Sequence, residues 1–237
     1  MKTFYCNKVV GGLNMAVNNE RDARASISVK LSRPSDKEEE FNSNVESIHQ
    51  HLAIKSFLTQ MEILDPALLE HSRLVTHYTL LMGRSLGFTS DDERKLLHSS
   101  LLHDLGKMGI DRQIIEKKGK LTPQEWELIR AHPLNSVKIL SIFPYFRDII
   151  PIVKHHHEWY DGTGYPDGLM GEEIPLMSRM IMVADAFVAM TSDRPYRAAL
   201  TINEAVGIIR KNKGRQFDPK LVHLFITVVS EELKTPL

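Results

Sequence analysis

The sequence predicts an all-α fold: a bundle of helices with a loop-rich insertion around residues 158–177, preceded by a short N-terminal extension. Three observations carry this expectation. After about residue 45 the apolar residues recur at helical spacing. Hydroxyl residues followed three positions later by glutamate, which satisfy the free N–H groups of a helix start, occur at Ser90/Glu93, Thr122/Glu125 and Thr201/Glu204. There is no convincing series of alternating strands in this part, and no internal repeat.

Residues 1–44 differ from the rest and read as an extension or linker, with residues 45–237 as the main domain. Ile27, Val29 and Leu31 alternate with Ser28 and Lys30, which suggests a short strand. The stretch SRPSDKEEEFNSN then reads as a polar linker or the solvated start of a helix. From Pro66 to Leu86, Leu68, Leu69, Leu74, Val75, Leu80, Leu81 and Leu86 lie near helical spacing, and Gly87 supplies a stop. Ser90 opens the next helix, with His103 and Asp104 late in it. Thr122 opens another, with Pro123 at its first position, and His132 is expected to end it before Pro133. His155, His156 and His157 are expected to end an apolar helix ahead of a glycine-rich turn. Asp185 falls inside an apolar helix, and Asp218-Pro219 starts the last one, through Val228 and Val229.

Composition narrows the function. Lys+Arg and Asp+Glu are both 30, so the chain has no general electrostatic hold on long nucleic acid. A single cysteine, Cys6, excludes an intrachain disulfide and any multi-thiolate zinc site, leaving nitrogen and oxygen to bind a metal. No apolar run reaches the roughly 18 residues of a membrane helix, and the start lacks a compact secretory core, so a soluble cytoplasmic protein is expected.

The residues that carry chemistry stand in unusual places. Asp104 follows His103 among Leu101, Leu102 and Leu105, and a buried carboxylate costs several kcal/mol unless a cation or strong hydrogen bonds compensate. Lys107 would share the face of His103 if the helix continued that far. Against this stands the plain alternative of a His-Asp pair at a solvated helix end with a snorkelling lysine. The histidine run could equally be a helix end that favours partly cationic imidazoles. The Gly-Thr-Gly-Tyr-Pro turn after it nevertheless presents Tyr165 from a rigid loop, to stack on a base or meet a phosphate. Asp185 among Val183, Ala184 and Phe187 calls for a metal or an arginine. Arg194 and Arg197 offer forked donors for phosphate, unless Asp193 claims them. His71 and His132, taken singly, resemble ordinary helix histidines. His49, His51, His77, His98 and His223 are read as such, and His155 abuts the cluster.

Together these phrases resemble one family. HSRLV, HDLGKMGI, KKGKLTPQEW, AHP, HHEWYDGTGYPDGLMGEEIP, VADAF, TSDRPYR and GRQFDP, in this order over about residues 65–229, are similar to the HD-GYP branch of the HD metal-dependent phosphohydrolases. The resemblance implies a helical bundle holding a buried binuclear metal site. It implies hydrolysis of cyclic di-GMP, or for some relatives cyclic GMP-AMP, to the linear dinucleotide and in some members GMP. The attack would be in line, by a hydroxide shared between two ions. Carried over by motif, the ligands are His71, His103, Asp104, His132, His156, His157 and Asp185, with Asp104 bridging. Lys107 matches a lysine near the scissile phosphate; Tyr165, Arg194 and Arg197 match substrate contacts; Asp65 matches an acidic residue lining the site.

Two departures stand out. Three-metal members carry a glutamate where this chain has Ala67, so two divalent ions are expected, iron or manganese, with zinc compatible. Val188 replaces a usual aspartate near the substrate, which bears on rate or nucleotide preference. Val188 also gives weight to the runner-up reading: a weak or inactive cyclic-dinucleotide receptor, or a partner of the diguanylate cyclases (GGDEF proteins) that make the ligand. A homodimer is compatible with the chain, but no exposed heptad supports one.

Overall fold

The structure, a computed structural model, describes residues 34–193 and 198–234. The expected strand over residues 27–31 and the arginines at 194 and 197 lie outside the described residues. The chain divides between Asn42 and Ser43, and the description below concerns Ser43–Leu237. Among the described residues the fold is all helical, with one isolated bridge between Lys213 and Phe217. Helix α1 (Pro34–Leu64) covers the polar stretch read as linker or helix start.

Helix α2 (Pro66–Ser85) starts where Asp65 accepts the Leu68 N–H at 3.0 Å, with proline in the first turn. It stops at Gly87, whose φ of +71° suits glycine. Helix α3 (Ser90–Leu102) is capped one residue earlier than expected. Thr89 is the cap and Asp92 closes the box; the adjacent Ser90/Glu93 pair has the same spacing and lies inside the first turn. The helix ends at Leu102, so Asp104 is not within it. A 3-10 turn over Leu105–Gly109 takes over, followed by the single turn α4 (Arg112–Ile115).

Helix α5 (Pro123–Arg130) has the expected Thr122/Glu125 box. It stops before His132, which is the first residue of α6 (His132–Leu140). Pro133, which cannot sit in a helix interior without losing a hydrogen bond, is accommodated in that first turn. Helix α7 (Ile150–Lys154) is short, and the three histidines follow it rather than forming its end. After the insertion come α8 (Leu176–Thr191), α9 (Ile202–Lys211), with the expected Thr201/Glu204 box, and α10 (Pro219–Leu233), capped by Asp218.

Two apolar clusters hold the helices. One joins Val75, Met82, Val183, Phe187, Val206 and Phe225 from α2, α8, α9 and α10. The other joins Met61, Leu69, Leu102, Leu105, Leu140 and Val153 from α1, α2, α3, the 3-10 turn, α6 and α7. Helix α2 contributes to both, with His71 between Leu69 of one cluster and Val75 of the other. His103 follows Leu102 of the second cluster, and Asp185 follows Ala184 of the first. The polar residues therefore meet at the seam between two apolar masses.

Candidate metal centre

Asp104 is the centre of the arrangement. It is completely buried, and its two carboxylate oxygens face two different groups of imidazoles. Oδ1 stands 3.1 Å from His132 Nε2 and 3.9 Å from His156 Nε2. Oδ2 stands 3.4 Å from His103 Nε2, 3.9 Å from His71 Nε2 and 2.6 Å from Lys107 Nζ. His157 completes the first group, its ring 4.9 Å from that of His132. Asp104, His132, His156 and His157 offer ligand atoms within 4.8 Å of one another, and so do His71, His103 and Asp104. Asp185 reaches the second group through His71, at 2.9 Å.

The tautomers follow from the surroundings. His103 Nδ1 lies 2.7 Å from Ser100 O, His132 Nδ1 2.6 Å from Ile129 O, and His156 Nδ1 2.6 Å from Val153 O. A carbonyl only accepts, so each Nδ1 carries a proton, and a ring neutral in that form turns a lone pair on Nε2 inward. His132 Nε2 and His156 Nε2 are 3.1 Å apart. Two lone pairs at that distance, beside a carboxylate oxygen, repel one another unless a cation lies between them. His103 Nε2 and Asp104 Oδ1 are buried with no hydrogen-bond partner among the described residues. Buried polar atoms are rarely left so, and a divalent ion is the group these donors fit.

The electrostatics agree. Burial, then the neighbouring His157, holds His156 well below the usual imidazole range. Burial, then His132, lowers His157 to about 3. Burial and Lys107 lower His132. At neutral pH these three are uncharged and free to bind a cation. His103 differs: burial opposes its charge, but Asp104 outweighs burial and raises its pKa. Burial also opposes the charge of Asp104, yet His103 and Lys107 hold its carboxyl well below the ordinary range. Asp185 is likewise held low against burial, mainly by its hydrogen bond to His71.

A cavity of about 660 Å³ opens beside this centre, within the range of small-molecule sites, roughly 300–1,000 Å³. Asp65, His71, Asp104 and Lys107 line it together with apolar Ile110, Ile114, Ile115, Leu121 and Trp126. Lys118 and Lys120 line it as well. Ala67, where a glutamate stood in the family pattern, is also part of the wall.

The remaining expected residues fall as follows. Lys107 is not one helical turn from His103 along a continuous helix; the 3-10 turn brings it back onto Asp104. Tyr165 stacks on His157 with ring centroids 5.0 Å apart, and the Arg130 guanidinium lies 5.4 Å from the Tyr165 ring centroid. Asp65 both caps α2 and lines the cavity. His155 turns away and pairs with Asp167 at 3.0 Å. Val188 is 1% exposed and packs in the core.

Sequence reasoning missed Ser136, a fully buried hydroxyl that accepts the Gly106 N–H at 2.8 Å and donates to His103 O at 3.0 Å. It also missed the apolar cavity wall and Arg130. The glycine at 106 is the one signal for Ser136: a Cβ there would lie 2.2 Å from His132 O.

The HD domain family matches residues 59–221. The chain belongs to the HD domain family. The resemblance read from the motifs is thus borne out. A 3'3'-cGAMP-specific phosphodiesterase of Vibrio cholerae is 41% identical over 150 residues, 63% of this chain and 33% of that protein. A cyclic di-GMP phosphodiesterase of Pseudomonas aeruginosa is 34% identical over 210 residues, 88% of this chain and 50% of that protein. This HD domain chain therefore spans a third to a half of the length of these relatives. Among solved structures, an HDG"Y"P protein from Bdellovibrio bacteriovorus shares the fold with a TM-score of 0.60 at 18% identity, covering 70% of this chain and 53% of that one. No helix among the described residues is long and apolar enough to cross a membrane.

Proposed function

We propose that this HD domain is a metal-dependent phosphodiesterase that hydrolyses a cyclic dinucleotide, cyclic di-GMP or 3'3'-cGAMP, to its linear product and, where that product rebinds, onward to GMP (with AMP from 3'3'-cGAMP). The observation that carries the reading is the sharing of one buried carboxylate by two groups of histidines with their lone pairs turned inward. The names of the relatives support the substrate class.

His71, His103, Asp104 and Asp185 would hold one divalent ion, and Asp104, His132, His156 and His157 the other. The thiolate-free set suits iron or manganese, with zinc compatible. Ala67 supports two ions rather than three. Bound ions supply Lewis acidity toward the phosphoryl oxygens and a hydroxide at neutral pH. The chain does the rest. The carbonyls of Ser100, Ile129 and Val153 fix the imidazoles in one tautomer and one orientation. Lys107 Nζ, 2.6 Å from Asp104 Oδ2, is placed to meet charge developing on the scissile phosphate. The apolar cavity wall receives a base and excludes water. Tyr165 and Asp65 are placed to contact substrate, and Arg194 and Arg197 are retained as phosphate contacts on their motif alone.

The test is anaerobic purification, metal analysis, and turnover of both cyclic dinucleotides followed by product identification. Turnover that requires iron or manganese and vanishes in His103→Ala and Asp104→Ala is expected. Folded, metal-loaded protein that binds a cyclic dinucleotide without cleaving it would replace this reading with the receptor.

A further inference from the structure

Glu158 is 1% exposed, yet it belongs to neither histidine group. Its Oε1 accepts the Asp167 N–H at 2.7 Å and the Gly168 N–H at 3.1 Å, and Oε2 lies 3.1 Å from the same Gly168 nitrogen. A carboxylate is costly to bury, and two backbone donors are what compensate it here. Between these anchors the loop folds back on the histidine run. Gly164 rests on the peptide that joins Glu158 to Trp159, so closely that a Cβ would come 2.1 Å from Trp159 N. Tyr165 N donates to His157 O at 3.2 Å, and the Tyr165 ring lies on the His157 ring with an interplanar angle of 29°. The loop is therefore pinned at the backbone on either side of the tyrosine.

We propose that Glu158 is a positioning residue: its carboxylate, by holding the Asp167 and Gly168 amides, seats the Tyr165 ring against His157. This rests on the phosphodiesterase reading only for its consequence in turnover. Glutamine is the informative replacement: with its oxygen in the place of Oε1, both amides exchange a charged acceptor for a neutral one, and its NH2 group stands where Oε2 was, 3.1 Å from the Gly168 nitrogen, donor against donor. Losing a bond to a charged acceptor corresponds to about tenfold or more in an equilibrium.

In Glu158→Gln, amide hydrogen exchange at Asp167 and Gly168 should rise about tenfold. The amides of Leu102 and Val183 in the core should keep their protection, and the His157 ring signals should shift. KM for the cyclic dinucleotide should rise about tenfold with metal content and kcat nearly unchanged. In a Tyr165→Ala background the same substitution should add nothing to KM. Unchanged exchange at both amides overturns the proposal, as does an equal rise in the core or an additive effect on KM. If the wild type cleaves no cyclic dinucleotide, the phosphodiesterase reading falls, and the exchange and ring signals still decide the role of Glu158. Should Glu158→Gln fail to fold, Glu158→Asp, one methylene shorter with its charge kept, serves with the same readouts and a smaller expected change.

Discussion

Ser136→Ala is the most economical way to loosen the centre without touching a ligand. The Ser136 hydroxyl joins the 3-10 turn that follows Asp104 to helix α6, which begins at His132. Its removal strands two buried backbone groups, the Gly106 N–H and the His103 carbonyl. A replacement water has nowhere to go. The two segments are so close that a Cβ on Gly106 would lie 2.2 Å from His132 O and 2.6 Å from Ser136 N. Each stranded group costs about 1–3 kcal/mol, so a loss of about 2–6 kcal/mol is expected for the two. With a urea slope of about 2 kcal/mol per molar, the unfolding midpoint falls by about 1–3 M. The same displacement separates His103 from His132, so metal affinity should fall by about 10–100-fold, the usual range for a group supporting a ligand. Urea unfolding in chelator, read by circular dichroism, gives the first number; competitive metal titration gives the second. A stability loss under about 0.5 kcal/mol, or normal metal affinity in a destabilised variant, would refute the view that this hydroxyl ties the two halves together.

Three further outcomes follow from the geometry. Asp104→Asn should lose both ions, because each group uses one oxygen of that carboxylate, whereas His71→Ala should lose chiefly one; metal counting after gel filtration separates these, and equal stoichiometry would argue against a shared carboxylate. Gly106→Ala should cost about 3 kcal/mol or more, since the Cβ meets backbone atoms that no rotamer can move away, and a Tm near wild type would contradict the packing. His98, in α3, is depressed to about 4 by burial and then by Arg94. The unfolded chain protonates this imidazole near 6.5 while the native state resists until about 4, so the stability it contributes is present at pH 7 and lost as pH falls through that window. Because the side chain is partly exposed, about 1–2 kcal/mol is the expected size. His98→Gln should flatten the stability profile between pH 7 and 4.5 by that amount, and an unchanged slope would show that His98 takes its proton at the usual pH.

Much of this was legible locally. Caps and stops are set by neighbours in sequence, so Thr122, Thr201, Asp218 and Gly87 announced their helices. Errors arose where two local signals competed. Thr89 and Ser90 each have an acid three residues on, and spacing alone does not choose between Asp92 and Glu93. His132 before Pro133 reads as a helix end, though proline in a first turn equally begins a helix, and only Ala131 separates α5 from α6. What no local pattern holds is how residues far apart in sequence meet. That the two oxygens of Asp104 face opposite groups, that Ser136 bonds 30 residues back to Gly106, and that Glu158 holds Gly168 depend on the packing of the whole bundle.

One regularity nevertheless connects sequence to site. His103, His132 and His156 each bond a carbonyl three residues earlier, and each sits just past the last turn of a helix: α3, α5 and α7 respectively. The last four carbonyls of a helix have no partner within it. A histidine placed there satisfies such an orphan with Nδ1 and is obliged to point Nε2 onward, away from its own helix. Three helix ends aimed at one seam therefore deliver three oriented lone pairs without further hydrogen-bonding side chains. His71 and Asp185 lie within α2 and α8, where the carbonyls are already used, and they orient each other instead, at 2.9 Å. The imidazoles that the sequence places at helix ends are thus the ones whose position beyond the helix turns Nε2 onto the seam, and on the proposed reading, moving any of them one residue into its helix should abolish metal binding while leaving the helix intact.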